Sequence, residues 1–577
     1  MKKHFVLVTF LLLSVFFVNA QNNVIDKELQ KILNQRSDDY IDINIMLKSQ
    51  MPTDNLSFFY CKSDSKEVRR EIIVNELKKF AEQSQKEVMS VIKAEERSSN
   101  VIDIKSHWLT NFINCKAKAD VIYQLASHPD VACIAYNQEL TVDSDAVDET
   151  MTRSAQGNSS VIAEHLTRIK ADKAWDLGYT GKGVIVALLD SGINVEHNDL
   201  KDHLWNENGK YGYNALNKDQ YPIDERGHGT HCAGIICGDG TSGKITGVAP
   251  DATLMSIKLY AVNSSLSVQQ LITGIEFAVA NNASILNISQ GWIGVTNTTR
   301  ETLRKTFKNL LDLGVVAAVA AGNDRNYLHY YPVPGNIRTP GDCPPPWLHP
   351  DQQANAGGLS SVISVGGVDY SSDEVMPASS KGPVTWQETS FNDYPYNPGI
   401  GLIRPDIIAP GHLVSSLNYE TNDGYIIKSG TSMSAPCVAG VMALMLEKNP
   451  DLTPADLCRI IETTAVKLSD SKSNDTGSGL IDALAAVQEV NFDTDSPNIN
   501  LYDFSRVLPA GSDLSFDLSF INNGRGTNPG NANVTISTND TYTTIVEGSR
   551  TYGSMAADET AAATFVVNIS KIGRAHV

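Results

Sequence analysis

Basic residues are scarce in this sequence. Its 47 lysines and arginines face 66 aspartates and glutamates, a formal net charge of −19. Nucleic acids and anionic membranes are gripped by a positive field, so the charge balance makes the chain a poor candidate for binding either. Beyond residue 20 the chain also lacks any apolar run of the roughly 18–20 residues that a membrane-crossing helix needs. No C-x-x-C pair and no H-E-x-x-H helix occurs, so zinc chemistry is not indicated and no metal is assigned to the candidate site. Cysteine is sparse, with eight in 577 residues, and a chain this long can bury a core without disulfide staples. A composition of 42% hydrophobic and 20% charged residues excludes a disordered chain, a collagen and a coiled-coil rod.

The two ends stand apart from the fold. Lys2 and Lys3 precede the apolar stretch Phe5–Val18, and Val18-Asn19-Ala20 has the small-residue form of a cleavage site. Residues 1–20 therefore read as a signal peptide, with a mature start near Gln21 and an exported product: extracellular, periplasmic or on the cell surface. The terminal Ile572–Val577 (IGRAHV) resembles a sequencing adapter translated in frame, which would make the C-terminus artificial and truncated.

Between the ends, four stretches differ in pattern. Residues 21–140 read as a small α+β unit of β-α-β-α-β order: strand Ile41–Leu47, helix Glu67–Glu96, strand-like Val101–Lys118, helix Ala119–Ser127 and strand Val131–Leu140. Residues 141–160 are acidic, then rich in serine and glycine, and read as an exposed linker open to proteolysis. Residues 161–490 alternate apolar runs with helical patterns. The runs Val184–Leu189, Thr253–Leu259, Ser284–Ile288, Val315–Ala321 and Val362–Val368 have the character of strands buried on both faces. Helices are expected over Val268–Ala280, Glu301–Leu313 and Ser434–Glu447, which makes this an α/β unit with a parallel sheet. Residues 497–570 switch to strict alternation at Leu514, Phe516, Leu518 and Phe520, with Asn/Gly/Pro turns between runs. That predicts an all-β sandwich module, incomplete at about 75 residues.

Chemistry concentrates in the α/β unit. The first strand ends in Asp190-Ser191-Gly192; then come Gly227-His228-Gly229-Thr230-His231-Cys232-Ala233-Gly234, Ala320-Ala321-Gly322-Asn323, and Gly430-Thr431-Ser432-Met433-Ser434-Ala435-Pro436. A serine hydroxyl is a weak nucleophile until a base takes its proton. Histidine serves when a carboxylate fixes its tautomer, and the tetrahedral oxyanion needs donors already in place. An asparagine amide and a backbone N–H at a helix start supply them.

The motifs DSG, HGTHCAG, AAGN and GTSMSAP, in that order, resemble the subtilisin-like serine proteases over roughly residues 165–490. Gly247–Pro250, Asn287–Gly291 and Arg404–Gly411 fit the same resemblance. It implies Ser432 as nucleophile, His228 as general base and acid, and Asp190 as the residue orienting His228. It further implies that the Asn323 amide and the Ser432 N–H form an oxyanion hole. Ser289, Gln290 and Gly291 would bind substrate backbone and line one wall of the specificity pocket, with Gly322 on the opposite wall. His231 is assigned to packing or capping on the helix after His228. No cofactor is implied for catalysis. Structural calcium is compatible with the resemblance, but no ligand set can be named. The first unit resembles the inhibitory propeptide of these enzymes, which implies self-cleavage within residues 141–160 and tight retention of the cut unit as an inhibitor.

Three features sit less squarely within the pattern. The stretch Tyr327–Asn355, with seven prolines, resembles an insertion found in part of the family; it either borders the substrate cleft or decorates the surface, and decoration is the preferred reading. Removing the first unit leaves five cysteines (Cys232, Cys237, Cys343, Cys437 and Cys458), so at least one thiol has no partner among them. Cys232 and Cys437 are read as small buried hydrophobes on helices beneath the site. The function read from the chain is a secreted serine endopeptidase acting on protein or peptide substrates. Two alternatives remain at this level: a peptide acyl-transferase on the same fold, and an idle binding protein.

Overall fold

A computed structural model describes residues 24–35, 39–51, 66–141, 161–216, 221–262, 264–345, 360–396, 399–490, 499–503, 513–522, 532–536, 543–556 and 559–569. The expected signal peptide, the linker from residue 142 to residue 160, and residues 572–577 lie outside that set. The chain divides into one unit up to Val490 and a second from Asn491.

The N-terminal part of the first unit contains α1 (Lys27–Leu33), β1 (Ile41–Leu47), α2 (Lys66–Arg97), β2 (Val101–His107), β3 (Phe112–Ala117), α3 (Ala119–Ala126), β4 (Val131–Tyr136) and β5 (Glu139–Thr141). The sheet order is β2-β3-β1-β4. Three expectations change here, the first being that Val131–Leu140 divides after Tyr136 into β4 and β5. The continuous strand-like stretch Val101–Lys118 is a hairpin, turned at Asn111 with φ 41°. Apolar content runs straight through Trp108 and Leu109, and no glycine or proline marks the break. Helix α1 was not anticipated: seven residues are too few for a period, although Asp26 caps it by accepting from Leu29 N at 2.7 Å.

The core that follows is doubly wound. Short β6 (Val161–Ile162), α4 (Glu164–Arg168) and α5 (Ala171–Trp175) lead into β7 (Ile185–Asp190), β8 (Gly212–Asn214), α6 (His228–Cys237), β9 (Lys244–Ile245) and β10 (Thr253–Lys258). Then come β11 (Ser265–Ser267), α7 (Val268–Ala280), β12 (Ile285–Ile288), α8 (Asn297–Asp312), β13 (Val316–Ala320), β14 (Val362–Asp369) and β15 (Ile407–His412). The hairpin β16 (Val414–Leu417) and β17 (Tyr425–Lys428) precedes α9 (Thr431–Lys448), α10 (Pro454–Thr464) and α11 (Ala483–Glu489). Seven strands form one parallel sheet in the order β15-β14-β13-β12-β7-β10-β8. The five apolar runs supply its five inner strands; β8 and β15 form the edges.

Alternate residues feed two apolar layers. Val186, Leu188, Leu254 and Ala318 pack under α6 and α9, while Ala187, Leu189, Met255 and Val319 pack under α7 and α8. The second layer also takes Met46, Ile73, Val74, Leu77, Phe112 and Leu140 from the N-terminal part. At the start of α2, the buried Arg70 guanidinium donates to the Ala283 carbonyl at 2.9 Å and the Leu313 carbonyl at 3.2 Å. The N-terminal part is thus docked along the α7–α8 face by its sheet and by the first turns of its long helix.

The second unit is antiparallel. Strands β18 (Ile499–Asp503), β19 (Asp513–Asn522), β23 (Thr560–Ile569) and β21 (Thr543–Glu547) form a four-stranded sheet, and β20 (Ala532–Thr535) pairs with β22 (Ser549–Tyr552). Phe516 lies opposite Phe565 and Leu514 opposite Val567, so the alternating residues of the two strands are in register.

Candidate active site

The chain winds outward from β7 in both directions, to β10 and β8 on one side and to β12 through β15 on the other. Such a reversal leaves a crevice at the carboxyl ends of the central strands, where open α/β sheets bind ligands. Asp190 is the last residue of β7, Ser289–Gly291 follow β12, and Ala321–Asn323 follow β13. His228 opens α6, and Ser432 is the second residue of α9.

Asp190 and His228 are both fully buried, and His228 Nδ1 lies 2.7 Å from Asp190 Oδ1. Ser191 N and Tyr260 Oη donate to the same oxygen at 2.7 and 2.8 Å. Burial alone would raise the Asp190 carboxyl. The His228 charge and these hydrogen bonds outweigh it and hold the group below the ordinary aspartate value. Gly229 permits the close approach of α6: a Cβ there would stand 2.1 Å from the Gly192 carbonyl oxygen.

Asp224 organises this corner, and the sequence reading missed it. Its carboxylate accepts from Gly227 N and Thr230 N, each at 2.9 Å, and from Ser191 Oγ at 2.8 Å. It therefore caps α6 and ties that helix to the turn after Asp190. An aspartate four residues before His228, in D-E-R-G-H, was the available signal.

Ser432 and Ser289 bond reciprocally. Ser432 Oγ donates to the Ser289 carbonyl at 3.0 Å, and Ser289 Oγ donates to the Ser432 carbonyl at 2.8 Å. Cys232 Sγ also donates to that carbonyl, at 3.3 Å, and lies 4.0 Å from His228 Nδ1. Beside them, Asn323 Oδ1 accepts from Thr431 N at 3.0 Å and Thr431 Oγ1 at 3.1 Å. Both donors meet the amide oxygen, which fixes the flip and leaves Nδ2–H as the end free of that grip. Gly322 precedes with φ +114°, where a Cβ would meet Arg338 Cγ at 2.7 Å and Ser380 Oγ at 2.8 Å.

Gln290 turns its side chain inward: Nε2 donates to Tyr260 Oη at 2.7 Å. Gly291 has Arg338 beside it, with Arg338 Nη1 donating to the Gly291 carbonyl at 3.3 Å. The guanidinium also meets Asp324 through Nε–Oδ2 at 2.6 Å and Nη2–Oδ1 at 2.9 Å. Of the two readings of Tyr327–Asn355, the described part, residues 327–345, favours a border of the crevice over surface decoration. Tyr327 and Tyr330 are 52% and 71% exposed, but Asn336, Ile337 and Thr339–Pro345 are buried. Arg338 N donates to the Ala321 carbonyl at 2.9 Å, and Thr339 bridges Trp292. Residues 336–345 are thus threaded between the two segments assigned as pocket walls; proline content alone signals a loop and not its burial.

His231 packs as expected, fully buried, with Nε2 3.1 Å from the Val414 and Ile426 carbonyls. Burial pushes its pKa well below the usual histidine value. All seven cysteines among the described residues are free thiols. One group among those residues has metal-ligand spacing: atoms of Asp190, His228 and Cys232 lie within 4.8 Å of one another.

The N-terminal part also contacts β11 and α7. Strand β5 lies antiparallel to β11, pairing Leu140 with Leu266. Glu276 on α7 accepts from Trp108 N at 2.7 Å and Leu109 N at 3.0 Å, and lies 3.0 Å from His107 Nδ1.

A parallel sheet with aspartate, histidine, asparagine and serine at its carboxyl ends has the make-up of an α/β serine hydrolase. The model of the Subtilase family matches residues 181–480. Serine protease AprX of Bacillus subtilis is 30% identical over 336 residues, covering 53% of this chain and 66% of AprX. Subtilisin E of Bacillus subtilis is 34% identical over 325 residues, covering 56% of this chain and 70% of its own. M-protease of Shouchella clausii is 28% identical over 427 residues, covering 70% of this chain and 96% of its own. The chain belongs to the subtilase family and is a subtilisin-like serine endopeptidase.

Proposed function

We propose that the chain is made as an exported, self-processed zymogen that cleaves peptide bonds through an acyl-enzyme on Ser432. The 2.7 Å contact between His228 Nδ1 and Asp190, in a site that also gathers Ser432 and Asn323, carries this reading. With Nδ1–H committed to Asp190, Nε2 is the basic nitrogen. It takes the Ser432 proton as Oγ bonds to the substrate carbonyl carbon. The oxyanion is met by Asn323 Nδ2–H and the Ser432 N–H. Collapse breaks the C–N bond, and the proton on His228 passes to the departing amine. Water then repeats the sequence: His228 takes its proton, its oxygen bonds to the acyl carbon, and Ser432 leaves with the proton returned. Each bond and proton is accounted for, so no cofactor is required by these steps. Ser289–Gly291 and Gly322 are proposed to flank the residue before the cleaved bond.

The N-terminal part is proposed to act as the enzyme's own inhibitor. In support, β5 is paired to β11 only a few residues beyond Tyr260, which touches Asp190. The chain then continues into residues 142–160, where self-cleavage is proposed. Export is proposed on the pattern of residues 1–20.

The test compares the chain from Gln21 with its Ser432→Ala variant, by intact mass and by casein hydrolysis. The reading expects cleavage between residues 141 and 160 and casein digestion in the wild type alone. A wild type that stays whole and inert would overturn it. Product mass separates hydrolysis from transfer to an amine.

A further inference from the structure

We propose that Tyr260 is a positioning residue that sets the basicity of His228 and couples it to the segment holding substrate backbone. The inference rests on the reading of Asp190, His228 and Ser432 given above.

Tyr260 lies two residues beyond the end of β10, the neighbour of β7, and is fully buried. Its hydroxyl makes two bonds of opposite sense. It donates to Asp190 Oδ1 at 2.8 Å and accepts from Gln290 Nε2 at 2.7 Å. It also stands 3.2 Å from His228 Nδ1. The Arg226 guanidinium lies 5.5 Å from the centre of its ring. One phenol thus joins the carboxylate that orients the histidine to the segment after β12.

The choice of oxygen matters. Tyr260, Ser191 N and His228 all converge on Oδ1, while Oδ2 has no hydrogen-bond partner among the described residues. A donor on the oxygen that faces the imidazole draws negative charge away from it. Asp190 therefore stabilises the His228 imidazolium less than an aspartate without Tyr260 would. The phenol also restrains the carboxylate from rotating about its last bond. Its acceptor side holds Gln290, so displacement of Gln290 by substrate is felt at Asp190 through a single oxygen atom.

The signs follow. Tyr260→Phe keeps the ring and removes both bonds. Asp190 Oδ1 becomes more negative, and the His228 pKa rises. The acid limb of kcat/KM, where His228 becomes protonated, moves to higher pH by about half a unit. Loss of restraint on Asp190 lowers kcat by roughly three- to tenfold. Gln290→Leu removes the donor to the phenol oxygen and weakens its O–H as a donor to Asp190, so it should raise KM and move the acid limb in the same direction by a smaller amount.

The experiment titrates His228 by NMR in histidine-labelled full chain, wild type, Tyr260→Phe and Gln290→Leu, alongside kcat/KM against pH on one peptide. Thermal unfolding of each variant checks that it is folded. The expected result is a raised His228 pKa in Tyr260→Phe and a smaller rise of the same sign in Gln290→Leu, each matched by the kinetic limb. A folded Tyr260→Phe whose His228 titrates as in the wild type overturns the proposal, whatever its activity. The NMR titration does not need turnover. A chain without peptidase activity would therefore refute the catalytic reading separately from the Tyr260 inference.

Discussion

Asp324 grips Arg338 through two hydrogen bonds of 2.6 and 2.9 Å, and the arginine stem lies between the segments on either side of the crevice. A Cβ on Gly322 would meet Arg338 Cγ at 2.7 Å, and one on Gly291 would meet Arg338 Cβ at 2.8 Å. If those glycines flank the residue before the cleaved bond, the pair raises the floor of its pocket. The enzyme should then favour alanine or serine there over phenylalanine or leucine. Replacing the pair together, Arg338→Gly with Asp324→Asn, opens the space without stranding a buried carboxylate. The Phe-to-Ala ratio of kcat/KM should rise at least tenfold, the effect of about 1–3 kcal/mol of pocket contact. Chromogenic peptides varied at that one position measure it, and an unchanged ratio would remove Arg338 from the specificity account.

Glu276 argues for a second prediction. Its buried carboxylate takes two backbone N–H groups and faces His107, all from the N-terminal part. Removing one partner of a buried charged contact costs about 2–5 kcal/mol. After self-cleavage, Glu276→Ala should therefore release the cut N-terminal part at least thirtyfold more readily. Size-exclusion chromatography of the processed protein reads this directly, as separation of two fragments that co-elute in the wild type. Co-elution in both would mean that the sheet contacts and Arg70 hold the part without Glu276.

Acid should weaken the fold through buried histidines. His165 is wholly buried, with Nε2 3.0 Å from the Thr246 carbonyl, and burial lowers its pKa to about 4. In the unfolded chain it titrates near 6.5. Between those values the unfolded state binds the extra proton, so stability is complete above about pH 6.5 and declines toward pH 4. One such group contributes a slope of about 1.4 kcal/mol per pH unit, and His231 shifts in the same sense. Urea midpoints across this window should fall steeply in the wild type and less so in His165→Gln. Parallel slopes would show that His165 is protonated in the native state.

What could be read from the sequence followed the strength of its local signals. Strands buried on both faces are nearly uniform in apolar residues, so Val184–Leu189 and Val362–Val368 marked β7 and β14 almost to the residue. Edge strands carry no such mark: Gly212–Asn214 is three residues long and was not anticipated. Asp190, His228, Asn323 and Ser432 were nameable because each sits in a glycine-rich motif, and the fold brings their strand and helix ends to one edge. Tyr260, Asp224 and Arg338 escaped notice for the opposite reason. A tyrosine after a strand, an aspartate in a loop and an arginine among prolines are ordinary locally. Only the approach of β10 to β7, and of residue 338 to Gly322, gives them a role.

Cys232 lies where chemistry at sulfur is felt by the histidine. Its Sγ is 4.0 Å from His228 Nδ1 and donates to the Ser432 carbonyl at 3.3 Å. Burial raises its pKa, so at neutral pH it is a thiol, and alkylation, which needs the thiolate, should be slow. Iodoacetamide should therefore leave activity intact in the folded enzyme. A small mercurial is a different case: it binds sulfur strongly, and Asp190, His228 and Cys232 offer ligand atoms within 4.8 Å of one another. Metal held there would occupy the imidazole or push it off Asp190, and hydrolysis should fall at least tenfold. Cys232→Ala, which keeps a small apolar group on α6, should hydrolyse peptide at a rate within a fewfold of wild type and lose the mercury sensitivity. Cys437→Ala, also beneath the site, should remain sensitive and serves as the control. Intact mass showing mercury on Cys232 in a fully active enzyme would mean that the thiol and His228 do not interact, and the residue would return to being a small hydrophobe in the core.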